Sequence, residues 1–155
     1  MTLAGETPDR QYRDFYEFFS GAEALSRGTD LYAAGKLGYI YPPLFAVLLM
    51  PLVTLGLGSA GVAWLAIKAA LLRGCTWLSA QASAARFGLR FDGLSAAILS
   101  LGGTLLLADK LRSEMNMQQS NLVMLLCWIL ALRWLDRRPT WAGIVLGLSI
   151  NIKYV

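Results

Sequence analysis

From Gln11 onward, apolar residues return at steps of three and four: Tyr12, Phe15, Phe18, Phe19, Ala22 and Leu25. That period places them on one face of an amphipathic helix whose apolar side is strongly aromatic. Arg27-Gly28-Thr29-Asp30 ends it, Gly28 being suited to a helix C-terminal stop. Residues 1–10 have loop composition, with Gly5 and Pro8, and 31–40, with Tyr32, Gly35, Gly38 and Tyr39, reads as an irregular aromatic approach to a bilayer. After Tyr41-Pro42-Pro43 the polar face disappears. The two prolines suit a helix start, because the amide hydrogens they lack would be unpaired there anyway.

The first apolar run, 44–57, is broken by Pro51. At about fourteen residues it is short of the roughly twenty that a span requires, so it predicts a re-entrant or interfacial helix. Gly56-Leu57-Gly58-Ser59 reads as the turn after it. A long segment over 60–85 follows, carrying Lys68 and Arg73, and further apolar segments occupy 94–108, 122–135 and 141–155. The pattern predicts an all-α polytopic membrane protein with about four spanning helices, preceded by an interfacial helix and a short re-entrant or interfacial one. Its divisions are an extracytoplasmic loop with an amphipathic helix (1–43), the short apolar helix (44–58) and a membrane domain (59–155). No basic stretch followed by an apolar stretch precedes residue 40, and no helix-ending signal follows Lys153. The expectation is a piece cut at both ends from a longer protein.

Composition agrees with a membrane chain: 56% of residues are hydrophobic and 15% charged. The net charge of +4 comes from Lys and Arg standing singly or in pairs at the ends of apolar runs, which marks topology rather than nucleic-acid binding. With no His, neither a His-based metal site nor a Ser-His or Cys-His pair can form within the chain. Cys75 and Cys127 lie in apolar runs and read as small hydrophobes. No metal or cofactor is expected. The acids are unevenly placed: six of ten (Glu6, Asp9, Asp14, Glu17, Glu23, Asp30) precede residue 31, and the next is Asp92.

Cations set the orientation. Arg86 and Arg90 mark one connection and Arg133, Arg137 and Arg138 another, while the connection between them, 109–120, mixes Lys110 and Arg112 with Asp109 and Glu114. If cationic loops face the cytoplasm, the middle connection faces out and the 60–85 segment runs inward. The acidic front is then also outside, provided 44–57 does not cross. Asp14, Tyr41, the cluster 116–121 and Lys153 thus share the outer face.

The ordered motifs Asp14-Phe15-Tyr16-Glu17-Phe18, Gly28-Thr29-Asp30-Leu31-Tyr32, Tyr41-Pro42-Pro43-Leu44-Phe45 with Pro51-Leu52, Gln119-x-Asn121-Leu122, Ala142-Gly143-x-x-Leu146-Gly147 and Ile152-Lys153 resemble the front half of glycosyltransferase family 87. Members of that family are membrane mannosyl- and arabinosyl-type transferases of the GT-C superfamily that use polyprenyl-phosphate sugars. In the family pattern Gly usually stands where this chain has Gln118. The resemblance implies a multi-pass enzyme of the bacterial plasma membrane, with a polyprenyl-phosphate sugar as donor, mannose favoured, and a glycan or glycolipid acceptor. It also implies a catalytic Asp in the first extracytoplasmic loop, here Asp14. A carboxylate there can take the proton from an acceptor hydroxyl as its oxygen attacks the anomeric carbon. The lipid phosphate needs cations, which Lys153 can supply with help from Arg112 or Lys110. Gln119 and Asn121 can bind sugar hydroxyls or brace the loop, and Tyr41 is a further substrate contact.

Each residue also has a plainer reading. Asp14 can be a solvated acid on an interfacial helix, with Glu17 its rival as base. Lys153 can snorkel to the interface, Gln119 and Asn121 can simply begin a helix, and Gly143 and Gly147 can mark close helix packing. Lys68 near mid-membrane must face protein or water. The alternative class is a membrane transporter or non-catalytic scaffold. The lack of an Asp-x-Asp sequence argues against a metal-dependent nucleotide-sugar transferase.

Overall fold

A computed structural model describes residues 13–153, where seven helices and no strand occur. They are α1 (Arg13–Ser26), α2 (Pro43–Val53), α3 (Gly56–Arg86), α4 (Gly93–Leu106), α5 (Ala108–Met117), α6 (Asn121–Trp134) and α7 (Pro139–Ile150). The expected loop at 1–10, the first residues of the aromatic helix (Gln11 and Tyr12) and the end of the last segment (Tyr154 and Val155) lie outside the described residues.

The aromatic period of α1 becomes its buried face: Phe15, Phe18, Phe19 and Ala22 are all in the core. Asp14 stands in its first turn, where a negative charge meets the positive end of the helix dipole. The helix stops as Gly28 predicts. Gly28 takes a φ of 67°, its N–H reaches the Leu25 carbonyl at 3.1 Å, and the Thr29 N–H reaches that of Ala24 at 2.9 Å. α2 starts at Pro43 and packs along α1. Phe18 meets the rings of Tyr41 and Phe45 edge-on, with centroids 4.7 and 4.8 Å apart. Tyr39 lies so close to α1 that a Cβ on Gly21 would stand 2.3 Å from its ring. Its hydroxyl donates to the Pro42 carbonyl at 3.1 Å, which fixes the approach to α2.

Two boundaries differ from expectation. The turn after α2 is only Thr54 and Leu55, and Gly56, at a φ of 73°, already opens α3; 56–59 is therefore not the turn. The 109–120 connection is mostly helix, α5, set at 72° to α4. The sequence Ala108-Asp109-Lys110-Leu111-Arg112-Ser113-Glu114-Met115 favours helix by propensity, and Glu114 rather than an apolar residue is what it buries. Spans also differ. By length and composition α3 can cross a bilayer, and α4 with α5 makes a second candidate only if the bent pair counts as one span. α6 and α7, at 14 and 12 residues, are shorter than the roughly twenty a crossing requires, whereas the sequence pattern predicts about four spans.

α3 organises the rest. Its apolar side chains Val62, Leu65 and Ile67 stay exposed, as do Leu94, Ile98, Leu101 and Leu105 of α4, an outward apolar surface of the kind a bilayer covers. α6 runs parallel to α3. Cys75 lies against the Leu122 carbonyl near the start of α6, while Gln81, farther along α3, accepts from Arg133 near its end at 2.5 Å. Two ends of the molecule follow from this pairing. One holds Trp64, Lys68 and the 114–121 stretch; the other, about 20 Å along α3, holds Gln81, Arg133 and the cationic turn. A cavity of 930 Å³ between α3 and α6 belongs to the second end, lined by Leu78, Gln81, Leu132, Arg133, Arg137 and Arg138.

Candidate active site

Aromatic packing fixes the first end. Phe15, the residue after Asp14, stacks on Trp64 of α3 with centroids 6.1 Å apart and planes 18° apart. The Trp64 indole N–H donates to the Gln118 carbonyl at 3.1 Å, which ties the α5–α6 turn to the same wall. Ile152, the residue before Lys153, is buried in the cluster that holds Phe15, Phe18, Trp64 and Met124. Asp14 and Lys153 therefore flank one apolar plug, although 139 positions separate them (153 − 14).

Asp14 is half-buried, and α1 touches α2, α3 and α5. It lies within electrostatic reach of Tyr41 and Lys68. Burial, reinforced by the negative charges of Asp14 and Glu17, pushes the Tyr41 phenol above its ordinary value. Tyr41 is consequently a protonated hydrogen-bond donor at neutral pH. Glu17, the rival base, is engaged elsewhere: its Oε1 accepts from the Lys36 N–H at 3.3 Å, and a Cβ on Gly35 would stand 1.8 Å from its Oε2. Gly35 has a φ of 80°, so the loop closes over that carboxylate only with glycine there.

Behind Asp14 lies a polar chain that crosses three helices. Lys68 is fully buried, and its ammonium donates to the Glu114 carbonyl at 2.5 Å. The Glu114 Oε1 lies 3.2 Å from the same nitrogen, as an ion pair rather than an aligned hydrogen bond. Glu114 Oε2 accepts from Asn121 Nδ2 at 2.8 Å, Gln119 Oε1 accepts from the same nitrogen at 2.7 Å, and Asn121 Oδ1 accepts from Lys153 Nζ at 3.1 Å. Asn121 is the first residue of α6, but its side chain serves this chain rather than a cap, and Ser120 makes no side-chain cap either. The plain helix-start reading of the pair is thus incomplete. Gln118 takes the left-handed conformation, φ 53° and ψ 39°, a region that favours Gly.

Of the residues singled out in the sequence, Gln119, Asn121 and Lys153 meet through hydrogen bonds, and Tyr41 joins Asp14 electrostatically. Arg112 and Lys110 are exposed on α5, and among the described residues no hydrogen bond or ion pair ties them to the chain of contacts. Gly143 and Gly147 do not mark close packing among the described residues, since nothing stands within 4 Å of a Cβ at either. α7 buries Ala142 and Ser149, seven apart, and Trp128 of α6 donates to the Ser149 hydroxyl at 3.3 Å; the two glycines lie off that face. Glu114 is the residue that sequence reasoning passed over. Leu111, Glu114, Met115 and Gln118 recur at helical steps, but two polar members hide the period.

The comparisons bear on this arrangement directly. "GPI mannosyltransferase 1" of Aspergillus oryzae is 30% identical over 142 residues, which cover 90% of this chain and 32% of that protein. The "Polyprenol-phosphate-mannose-dependent alpha-(1-2)-phosphatidylinositol mannoside mannosyltransferase" of Mycobacterium tuberculosis is 29% identical over 170 residues, covering 97% of this chain, α1 and Asp14 included, and 38% of that protein. The chain spans about a third of the length of these curated relatives. No solved structure matches it. Residues 39–155 match the model of glycosyltransferase family 87, a stretch that holds Tyr41, Glu114, Gln119, Asn121 and Lys153 and begins after Asp14. With that match running through every helix from α2 to α7, the chain belongs to glycosyltransferase family 87.

Proposed function

We propose that the protein carrying this chain is a multi-pass membrane glycosyltransferase that moves a mannose from a polyprenyl phosphate to an acceptor hydroxyl on the extracytoplasmic face. Asp14 takes the hydroxyl proton while the acceptor oxygen forms its bond to the anomeric carbon. The bond from that carbon to the phosphate oxygen breaks, and its electron pair leaves with the phosphate. That anion is already stable, so the donor chiefly needs cations and hydrogen-bond donors. Lys153 meets the phosphate, with Arg112 within the same α5–α6 region as a second cation. Gln119 and Tyr41 serve sugar or acceptor hydroxyls, and Asn121, whose amide hydrogens go to Glu114 and Gln119, braces the turn between α5 and α6. The observation that carries the reading is the Lys153–Asn121 hydrogen bond, 32 residues apart in sequence, beside the core cluster that also holds Phe15. Family membership and the donor named for the mycobacterial relative support the substrate class. The separation of the Asp14 end from the Arg133 end supports the sidedness, since cationic turns favour the cytoplasm.

The test is a donor comparison with the full-length protein in liposomes. Radiolabelled polyprenyl-phosphate-mannose should donate its sugar with chelator present, and GDP-mannose should not donate directly. Metal-dependent transfer from GDP-mannose, with none from the lipid donor, would contradict the proposal.

A further inference from the structure

We propose that Glu114 is a positioning residue for donor binding: through Asn121 it holds the Lys153 ammonium in the direction that meets the donor phosphate. This rests on the reading of Lys153 as the phosphate cation. The geometry of Asn121 decides the matter. An amide nitrogen carries two hydrogens, and both are taken, one by Glu114 Oε2 at 2.8 Å and one by Gln119 Oε1 at 2.7 Å. An ionised carboxylate can only accept, so the amide cannot turn over without setting its oxygen against that of Glu114. Oδ1 is thereby left facing Lys153, which donates to it at 3.1 Å. One ammonium hydrogen is spent on this bracket and two remain for an anion.

Glu114 is itself fixed by its surroundings. It lies in the last turn of α5, where carbonyls lack intrahelical partners, and its own carbonyl accepts from the buried Lys68. The same ammonium pairs with its carboxylate, so one lysine caps the helix end and sets the side chain that orients Asn121. A flexible Lys153 would otherwise pay rotamer entropy whenever it met a phosphate.

The experiment measures donor KM and kcat for polyprenyl-phosphate-mannose with the full-length protein. Asn121→Asp sets two carboxylates against each other and should raise donor KM about ten- to hundredfold, the equivalent of one charge-assisted hydrogen bond, with a smaller change in kcat. Adding Glu114→Gln to that variant restores a donor–acceptor pair with the polarity reversed, and should recover most of the loss. Glu114→Asp keeps the charge for Lys68 but withdraws the carboxylate from Asn121 by one methylene; it should raise donor KM without the swap, which covers the case where the double variant does not fold. If Asn121→Asp and Glu114→Asp both keep the wild-type donor KM while Lys153→Met raises it, Glu114 has no positioning role. A double variant that folds yet recovers nothing also overturns the inference. A wild-type donor KM in Lys153→Met sinks the underlying reading of Lys153 instead.

Discussion

Lys68 and Glu114 are a costly pair of side chains, since each is buried and charged. Removing one partner strands the other in an apolar wall, a loss of about 3–5 kcal/mol, while replacing both by apolar residues of similar volume is often near neutral. Thermal unfolding in detergent should therefore show Lys68→Met and Glu114→Leu each strongly destabilised and the double variant close to wild type. An additive double variant would mean that the two do not depend on each other. The sequence marks Lys68 as needing protein or water around it, but gives no partner, because the nearest acids in sequence lie well away and pairing across 46 residues is set by how α5 folds back on α3. Asp14 has the opposite history. Composition supports only an acid on an interfacial helix; the family resemblance selects it, and the structure adds that its rival Glu17 accepts from the Lys36 N–H.

At the scale of elements, α1 and α2 are legible because their signals are local: an aromatic period, a glycine stop and a Pro-Pro start. α5 is not, since its buried face is polar. α4 begins on a local device. Asp92 accepts from the Ser95 N–H at 2.8 Å and the Ser95 hydroxyl at 2.7 Å, and these bonds, the backbone one foremost, hold its carboxyl below the ordinary 3.8. A depressed folded pKa gives stability that is present above the unfolded value and lost as pH falls through the folded one. The protection of amides in the first turn of α4, relative to their intrinsic exchange, should therefore fall as pH drops below about 3.8 in the wild type. In Asp92→Ala it should already be low at neutral pH, and equal protection in the two proteins at neutral pH would exclude the cap.

At the scale of the whole molecule, parallel α3 and α6 hold Lys68 and the 114–121 stretch at one end and Gln81 with Arg133 at the other. Sequence charges predict that division, whereas span count is not legible, since an apolar stretch fixes hydrophobicity but not where a helix bends, as between α4 and α5. Cysteine labelling of the full-length protein, with Cys75 and Cys127 replaced by Ser, checks the division. A membrane-impermeant maleimide should reach Thr29→Cys in intact cells and Arg137→Cys only after permeabilisation. Labelling of both in intact cells would place the two ends on one side.

Catalysis by Asp14 is the central proposal, and Asp14→Asn tests it most directly, because Asn keeps the size of the side chain but cannot take the proton. Transfer from polyprenyl-phosphate-mannose by the full-length protein, at equal expression, should fall about 10²- to 10⁴-fold. Glu17→Gln should stay within about threefold of wild type, as expected when only a loop hydrogen bond is weakened. Undiminished transfer by Asp14→Asn, or a larger loss in Glu17→Gln, would contradict the account.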